Sequence, residues 1–448
     1  MPAIGDHAVV LGASVAGLLA ARVLADAYER VTVVDSDVLP HGGHRRGVPQ
    51  ARHLHGLHPR GMRVLDELFP GLTTQLVADG AVPGDALGTS RFHLSGHRLA
   101  QADLGLPVIM ASRPFLEGHL RNRVRGLPRV TILERTAAAG LTATPDRLRV
   151  TGVHLHDLES GTRRDLPAGL VIDATGRGSR APAWLTALGY QAPAVDRVHV
   201  GLTYTTRQYR LRPGALRGDI GILTGGTPQH PRGGALASIE DDRHVLTLYG
   251  ILGDHAPADP DGFATFATTL AFPDIAEALE GAEPLSDPVR FRFPASVRRR
   301  YERLRDFPAS FLPLGDAVCS FNPIYAQGMT VAALQARALR DLLCRGKPVG
   351  FRAYFRAVAR TVDTPWSMGV GADLCHPGVR GKRTPAIRLG HHYLPRLHAA
   401  AAQDPVVARA FVRVMGMLDR PETLFHPGLV LRVLRGDRGA TRSDVVDR

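Results

Sequence analysis

The spacing of apolar and polar positions divides the chain into blocks of distinct period, and the first block sets the architecture. Residues 7–35 read HAVVLGASVAGLLAARVLADAYERVTVVD. An apolar run at 8–11 meets a glycine turn at 12–17. An alanine- and leucine-rich stretch at about 16–24 reads as a helix, and a second apolar run at 31–34 ends on Asp35. That order is strand, tight turn, helix, strand, acid, the outline of a dinucleotide-binding βαβ unit. No basic segment precedes the first run and glycine interrupts it, so it does not read as a secretion signal.

Further along, residues 36–59 are rich in Gly, Pro, His and Arg and predict a long loop, and 60–69 have helical spacing. Residues 91–110 contain a hairpin. Leu116, Leu120 and Val124 share one helix face, with Arg113 at that helix's start, and 130–133 read as a strand. A hairpin turning at Ser160-Gly161 leads to an apolar strand at 170–172 that ends on DATG, residues 173–176. Between 181 and 300 the pattern changes to short β-like runs at 199–211, 234–240, 244–252 and 289–294, with one helix expected over 261–272. The alternation Arg290-Phe291-Arg292-Phe293 predicts a mostly antiparallel sheet with one covered face. At 311–314 a strand returns, followed by Gly315-Asp316, a loop with Pro323 and a helix over 329–343. Residues 351–448 read as mainly helical, with Met415 and Met417 as core and a charged, unstructured tail from Asp437.

Composition narrows the reading. With 448 residues and 44% hydrophobic content, the chain can bury a large core. No apolar run approaches the roughly 18–20 residues that span a bilayer. The net charge of +13 invites a nucleic-acid partner, but Lys347 and Lys382 are the only lysines and the arginines are dispersed. That looks like coding bias rather than a phosphate-binding surface, and no nucleic-acid partner is expected. Cys319, Cys344 and Cys375 have no metal-ligand spacing, so no metal is expected and a reducing, cytoplasmic setting is.

The candidate chemistry follows from the turns. Gly12 lets the strand turn sharply, Gly17 lets the helix pack on it, and the first-turn amides face a pyrophosphate. Asp35 suits a ribose 2′-hydroxyl and disfavours a 2′-phosphate. Ser14 stands where the usual pattern has its middle glycine. In the following loop, Arg45, Arg46, Gln50 and Arg52 can reach a bound dinucleotide, while His53, His55 and His58 lack the carboxylate or thiolate partners of a metal site. DATG brings backbone close to a ligand, Asp316 can accept from a polyol, and the helix opening at Gly328 can stabilise an anion.

Three signatures stand in order: GASVAG with Asp35, DATG at 173–176, and GD…P…GM at 315–329. Together they resemble the FAD-dependent monooxygenases of the p-hydroxybenzoate hydroxylase type. RRGVPQARHLHGL (45–57), SRPFLE (112–117) and GDAVCSFNPIYAQGMT (315–330) look like the bacterial branch holding the polyene epoxidases of polyether biosynthesis, relatives of squalene epoxidase. The resemblance implies an α/β fold in four parts. These are a Rossmann-like FAD-binding domain over 1–180 and 301–350, an inserted mostly antiparallel substrate sheet over 181–300, and a C-terminal helical region over 351–448. It also implies FAD as cofactor. Gly12, Ala13, Ser14, Ala16 and Gly17 would surround the pyrophosphate. Asp35 and Ser36 would sit at the adenosine ribose, Arg45 and Arg113 on the FAD backbone, Asp316 on the ribityl chain or pyrophosphate, and Gly328 and Met329 beside the flavin ring.

The implied reaction is transfer of one oxygen atom through a flavin C4a-hydroperoxide to a hydrophobic natural-product intermediate of polyene or polyketide type, foremost as alkene epoxidation. Aromatic hydroxylation and flavin-dependent reduction of isoprenoid double bonds are the alternatives, with a non-enzymatic flavoprotein outside them. Halogenation is disfavoured, since Trp184 and Trp366 are the only tryptophans and no WxWxIP motif occurs. A phenol hydroxylase needs a base, for which His53, His55 and Tyr204 are the candidates. Electrons would come from NAD(P)H bound transiently, there being no second fingerprint, or from a separate flavin reductase.

Overall fold

The computed structural model describes residues 3–40, 43, 45 and 47–443. Arg46, one of the loop arginines expected at a dinucleotide, lies outside them.

Continuous apolar strands need cover on both faces, and five of them form a parallel sheet. Its order is Phe311–Pro313, Leu170–Asp173, Gly5–Leu11, Tyr28–Val34, Val130–Leu133. The glycine turn places the helix Val15–Leu24 on this sheet, with Leu18, Leu19, Ala20, Ala21 and Leu24 fully buried. Helix Gln327–Leu343 lies beside that helix, and Tyr28–Val34 pairs in register with both neighbours, Val33 opposite Val10 and Ile132.

The second sheet is mostly antiparallel. Its central strands are Val289–Arg299, Val195–Arg210, Arg243–Gly250, Arg232–Ile239 and Gly221–Thr224. Tyr209, Leu246 and Leu248 pack on one face against Phe263, Phe266 and Ile275 of two short helices. The expected single helix over 261–272 is therefore two, Pro260–Thr268 and Asp274–Ala278. Pro273 between them lacks an N–H and disfavours helical backbone at Phe272. At one edge, Cys319–Ser320 joins Val289–Arg299, so the segment just after Asp316 ties the two sheets together.

The hairpin expected within 91–110 is present at its start. Ser90–Leu94 and His97–Arg98 pair with each other and extend the antiparallel sheet through Gly221–Thr224. Pro107–Met110 pairs instead with Val82–Asp85. The Asp85 carboxylate accepts the N–H groups of Leu87, Gly88, Leu104 and Leu106, which joins the ends of this segment. Helices Pro385–Ala401 and Pro405–Met415 cover it, packing Leu397, Val407 and Val412 on Leu87, Leu99 and Leu106. Met417 is buried and Met415 packs at the edge of this cluster. The tail departs from expectation, since the last helix, Pro427–Ser443, continues past residue 437. Among the described residues, no helix is long and apolar enough to cross a membrane.

Candidate functional site

A cavity of about 790 Å³ opens where the parallel strands end and the antiparallel sheet begins. Ligands of open α/β sheets bind outside the carboxyl ends of such strands. Gly12, Ser14, Ala16, Asp35, Ser36, Arg45, Gln50, Arg113, Asp316, Gly328 and Met329 all line it, as do Thr175 and Gly176 of DATG. His55 and Tyr204 line it as well, beside Phe291, Phe293 and Phe321. Ala13, Gly17 and His53 do not reach the cavity surface.

The two outer glycines of the first turn are fixed by geometry. Gly12 has φ +97°, and a Cβ there would stand 2.7 Å from the Ala174 carbonyl oxygen. A Cβ on Gly17 would stand 1.8 Å from the Gly12 oxygen, so its work is helix packing behind the cavity. Ala13 is fully buried, and its N–H donates to Asp35 Oδ2 at 2.7 Å. Ser14 is the N-cap of helix Val15–Leu24 yet makes no side-chain bond to the helix. Its hydroxyl does not compete for the first-turn amides, the groups that favour an anion.

The Ser14 hydroxyl turns outward to the helix Arg113–Arg125. It accepts from Arg113 Nη2 at 2.9 Å and donates to Glu117 Oε2 at 3.1 Å. Glu117 is 2% exposed and also takes Arg45 Nη1 at 2.7 Å and Arg121 Nη2 at 3.1 Å. Burial raises the Glu117 pKa, and the nearby Arg113 and Arg45 outweigh that and hold it below the usual carboxylate range. Arg45 in turn donates to Asp35 Oδ2 at 2.8 Å and to the Ala13 carbonyl at 3.0 Å. Burial works against its charge, but Asp35 and Glu117 more than compensate and raise its pKa. The guanidinium expected on a cofactor lines the cavity and is also held by these protein partners, through which it orients Asp35. Glu117 lay inside SRPFLE, but no spacing rule marked it.

At the far end, Asp173 is not a ligand group. It folds its own turn, accepting from Thr175 N at 3.0 Å, Thr175 Oγ1 at 2.6 Å and Ser179 Oγ at 2.6 Å. That turn leaves Thr175 and Gly176 against the cavity. Asp316 faces the same space from Gly315–Ala317, with its Oδ1 4.0 Å from where a Gly328 Cβ would lie. Burial raises its pKa, opposed by Arg113, Arg177 and Arg299. The Gln335 side chain accepts from Gly315 N at 2.7 Å, fixing the Asp316 turn to the helix Gln327–Leu343.

Two of the three candidate bases, His55 and Tyr204, are poorly tuned for that work. Burial, with Arg113 nearby, depresses the His55 pKa to about 3, and its Nδ1 lies 2.9 Å from the His53 carbonyl. Burial pushes the Tyr204 phenol up. His53 sits behind them, 2.8 Å from Thr206 Oγ1 and edge-on to Tyr204 at 4.6 Å between ring centroids. With Arg52 it lines a smaller neighbouring cavity of about 270 Å³. Among the described residues, no cluster of His, Cys, Asp or Glu could hold a metal ion.

The donor set fits a flavin dinucleotide. A glycine turn with open helix amides, an acid at the second strand's end and a second helix N-terminus facing the half-buried Asp316 all meet in one cavity. The molecule has the fold of the FAD-binding monooxygenases, with a parallel sheet, an antiparallel sheet and a helical C-terminal part. The flavin-dependent brominase Bmp2 superposes with a TM-score of 0.68 at 13% identity, over 99% of this chain and 100% of its own. The p-nitrophenol 4-monooxygenase PnpA of Pseudomonas putida DLL-E4 superposes with a TM-score of 0.65 at 15% identity, over 93% of this chain and 99% of its own. No family model matches the sequence. Protein Rv3254 of Mycobacterium tuberculosis is 37% identical over 442 residues, covering 92% of this chain and 90% of that protein. The chain belongs to the same family as that mycobacterial protein.

Proposed function

We propose that this protein is an FAD-dependent monooxygenase that transfers one oxygen atom from molecular oxygen to a neutral, hydrophobic substrate, foremost by alkene epoxidation. The observation that carries this reading is the convergence of three distant segments, at Gly12–Ser14, Thr175–Gly176 and Asp316–Gly328, on one cavity.

The residues divide the work. Helix amides after Ser14 hold the pyrophosphate, and Asp35, fixed by Arg45 and Ala13, accepts from the ribose. Ser36 lies beside Asp35, and Arg113 supplies positive charge. Asp316 accepts from the polyol chain, and the amides at Gly328 and Met329 stabilise negative charge on the ring. When bound and reduced, FAD activates oxygen. The chain's own part is to orient the substrate and exclude water. Tyr204, Phe291, Phe293 and Phe321 offer an apolar wall for that purpose.

Epoxidation is preferred over phenol hydroxylation on the state of His55 and Tyr204, the two candidate bases that line the cavity. At neutral pH a His with a pKa near 3 takes up a proton poorly, and a Tyr with a raised pKa stays protonated. An alkene needs no deprotonation. The test supplies chemically reduced protein with oxygen and either an apolar polyene or a phenol. Epoxide from the polyene with no arene product supports the reading. Hydroxylated phenol alone, or anaerobic saturation of the alkene, would replace it with one of the rivals.

A further inference from the structure

The helix Gln327–Leu343 is entered through a strained turn. Ala326, its N-cap, has φ +54° and ψ +23°, the left-handed region. For a residue with a Cβ that backbone is disfavoured, and it persists only where the surroundings enforce it. A Cβ built on Gly56 would stand 2.6 Å from Ala326 Cβ, so the segment opposite leaves this turn little room.

The enforcement comes from outside the cavity. Asn322 Oδ1 accepts Ile324 N at 3.2 Å, which starts the turn. Asn322 Nδ2 then donates to Asp373 Oδ1 at 2.7 Å, and Tyr325 OH donates to the same oxygen at 2.9 Å. His58 Nε2 lies 2.9 Å from the Tyr325 carbonyl oxygen. Asp373 is the last residue of helix Phe351–Asp373 and is 1% exposed. Its other oxygen, Oδ2, is buried with no hydrogen-bond partner among the described residues. One turn earlier, a Cβ on Gly369 would stand 3.4 Å from the Tyr325 ring, so the helix lies against the turn there as well. Asn322 and Tyr325 do not line the cavity, whereas Pro323 and Ala326 to Met329 do.

We propose that Asp373 is a positioning residue for the cofactor: by taking Asn322 and Tyr325 on one oxygen, it holds the left-handed Ala326 turn and so aims the first amides of helix Gln327–Leu343 into the cavity. This rests on the FAD reading above. A buried carboxylate with an unmatched oxygen is not a stabilising choice for a helix end, and an apolar residue would serve packing better. Its value lies in gathering two donors at one point.

FAD titration of the intact chain, with the visible spectrum of the bound flavin, tests this. Asp373→Ala should weaken FAD binding at least tenfold and shift the flavin bands. Asp373→Asn keeps an acceptor oxygen and should stay within about twofold of wild type. Ala326→Gly takes the left-handed backbone without strain, so Asp373→Ala/Ala326→Gly should recover most of the affinity. Tyr325→Phe removes one of the two donors and should move affinity and spectrum part of the way, which keeps the test open if Asp373→Ala does not fold. A merely structural Asp373 would lower stability without a spectral shift and without rescue by glycine. If wild type binds FAD and the Asp373→Ala and Tyr325→Phe proteins match it in affinity and spectrum, the positioning role is overturned. If wild type binds no FAD, the functional reading falls and takes this role with it.

Discussion

Ser14 and Glu117, separated by 103 positions, meet in a 3.1 Å hydrogen bond beneath the first glycine turn. Where the dinucleotide pattern ordinarily has a glycine, this chain has a side chain that ties the turn to the helix Arg113–Arg125. Glu117 then connects through Arg45 to Asp35. The turn, the helix and the ribose-side acid thus form one buried network of alternating charge.

Restoring glycine at position 14 tests that link. Ser14→Gly relieves crowding but frees Arg113 and Glu117 from the turn. FAD affinity should fall about fivefold, near the ~1 kcal/mol net worth of one hydrogen bond. Fluorescence titration reads it. Tighter binding by the glycine variant would mean that Ser14 is a steric compromise rather than a tie.

Glu117 is the charge on which three arginines depend. Glu117→Ala leaves Arg45, Arg113 and Arg121 without that shared carboxylate, while Arg45 keeps Asp35 and Asp37. Breaking a buried ion network from one side costs about 3 kcal/mol or more. Urea unfolding should show a loss of that order, and a loss below about 1 kcal/mol would refute the network's role. Because its folded pKa is depressed, the Glu117 contribution is present above the unfolded value of about 4.3 and fades as pH falls.

Asp373 has the opposite sign. Burial raises its pKa to about 6, against about 3.9 unfolded, with Asn322 and Tyr325 pulling it down only in part. Its protonated form is favoured on folding, so that contribution is complete below the unfolded value and lost as pH rises through about 6. Asp373→Asn does not titrate. The stability of the Asn variant relative to wild type should therefore improve between pH 4 and pH 7.5, by up to ~2 kcal/mol. Thermal unfolding of both proteins across that range checks it, and parallel curves would contradict it.

The parts legible in the sequence were those encoded locally. Gly12 and Gly17 announce a turn because no Cβ fits there, and DATG and Gly315-Asp316 follow apolar strands, so twelve-residue windows suffice to find them. The hidden parts depend on partners distant in the chain. Nothing in the spacing of RRGVPQ says that Arg45 meets Glu117. Nothing near residue 90 announces pairing with Gly221–Thr224, since a short strand's partner is set by tertiary packing. Asp373 reads as one acid in a helix until Asn322 and Tyr325 are seen to share one of its oxygens.

Every role above depends on FAD binding in the cavity beside Asp316 and the first amides of helix Gln327–Leu343. Equilibrium titration of FAD into wild type and Asp316→Ala, followed by flavin fluorescence and absorbance, tests it most directly. The expected result is one FAD per wild-type chain with a perturbed flavin spectrum, and affinity at least tenfold weaker in Asp316→Ala without loss of fold. Failure of the folded wild-type protein to bind FAD, or equal occupancy in Asp316→Ala, would contradict it.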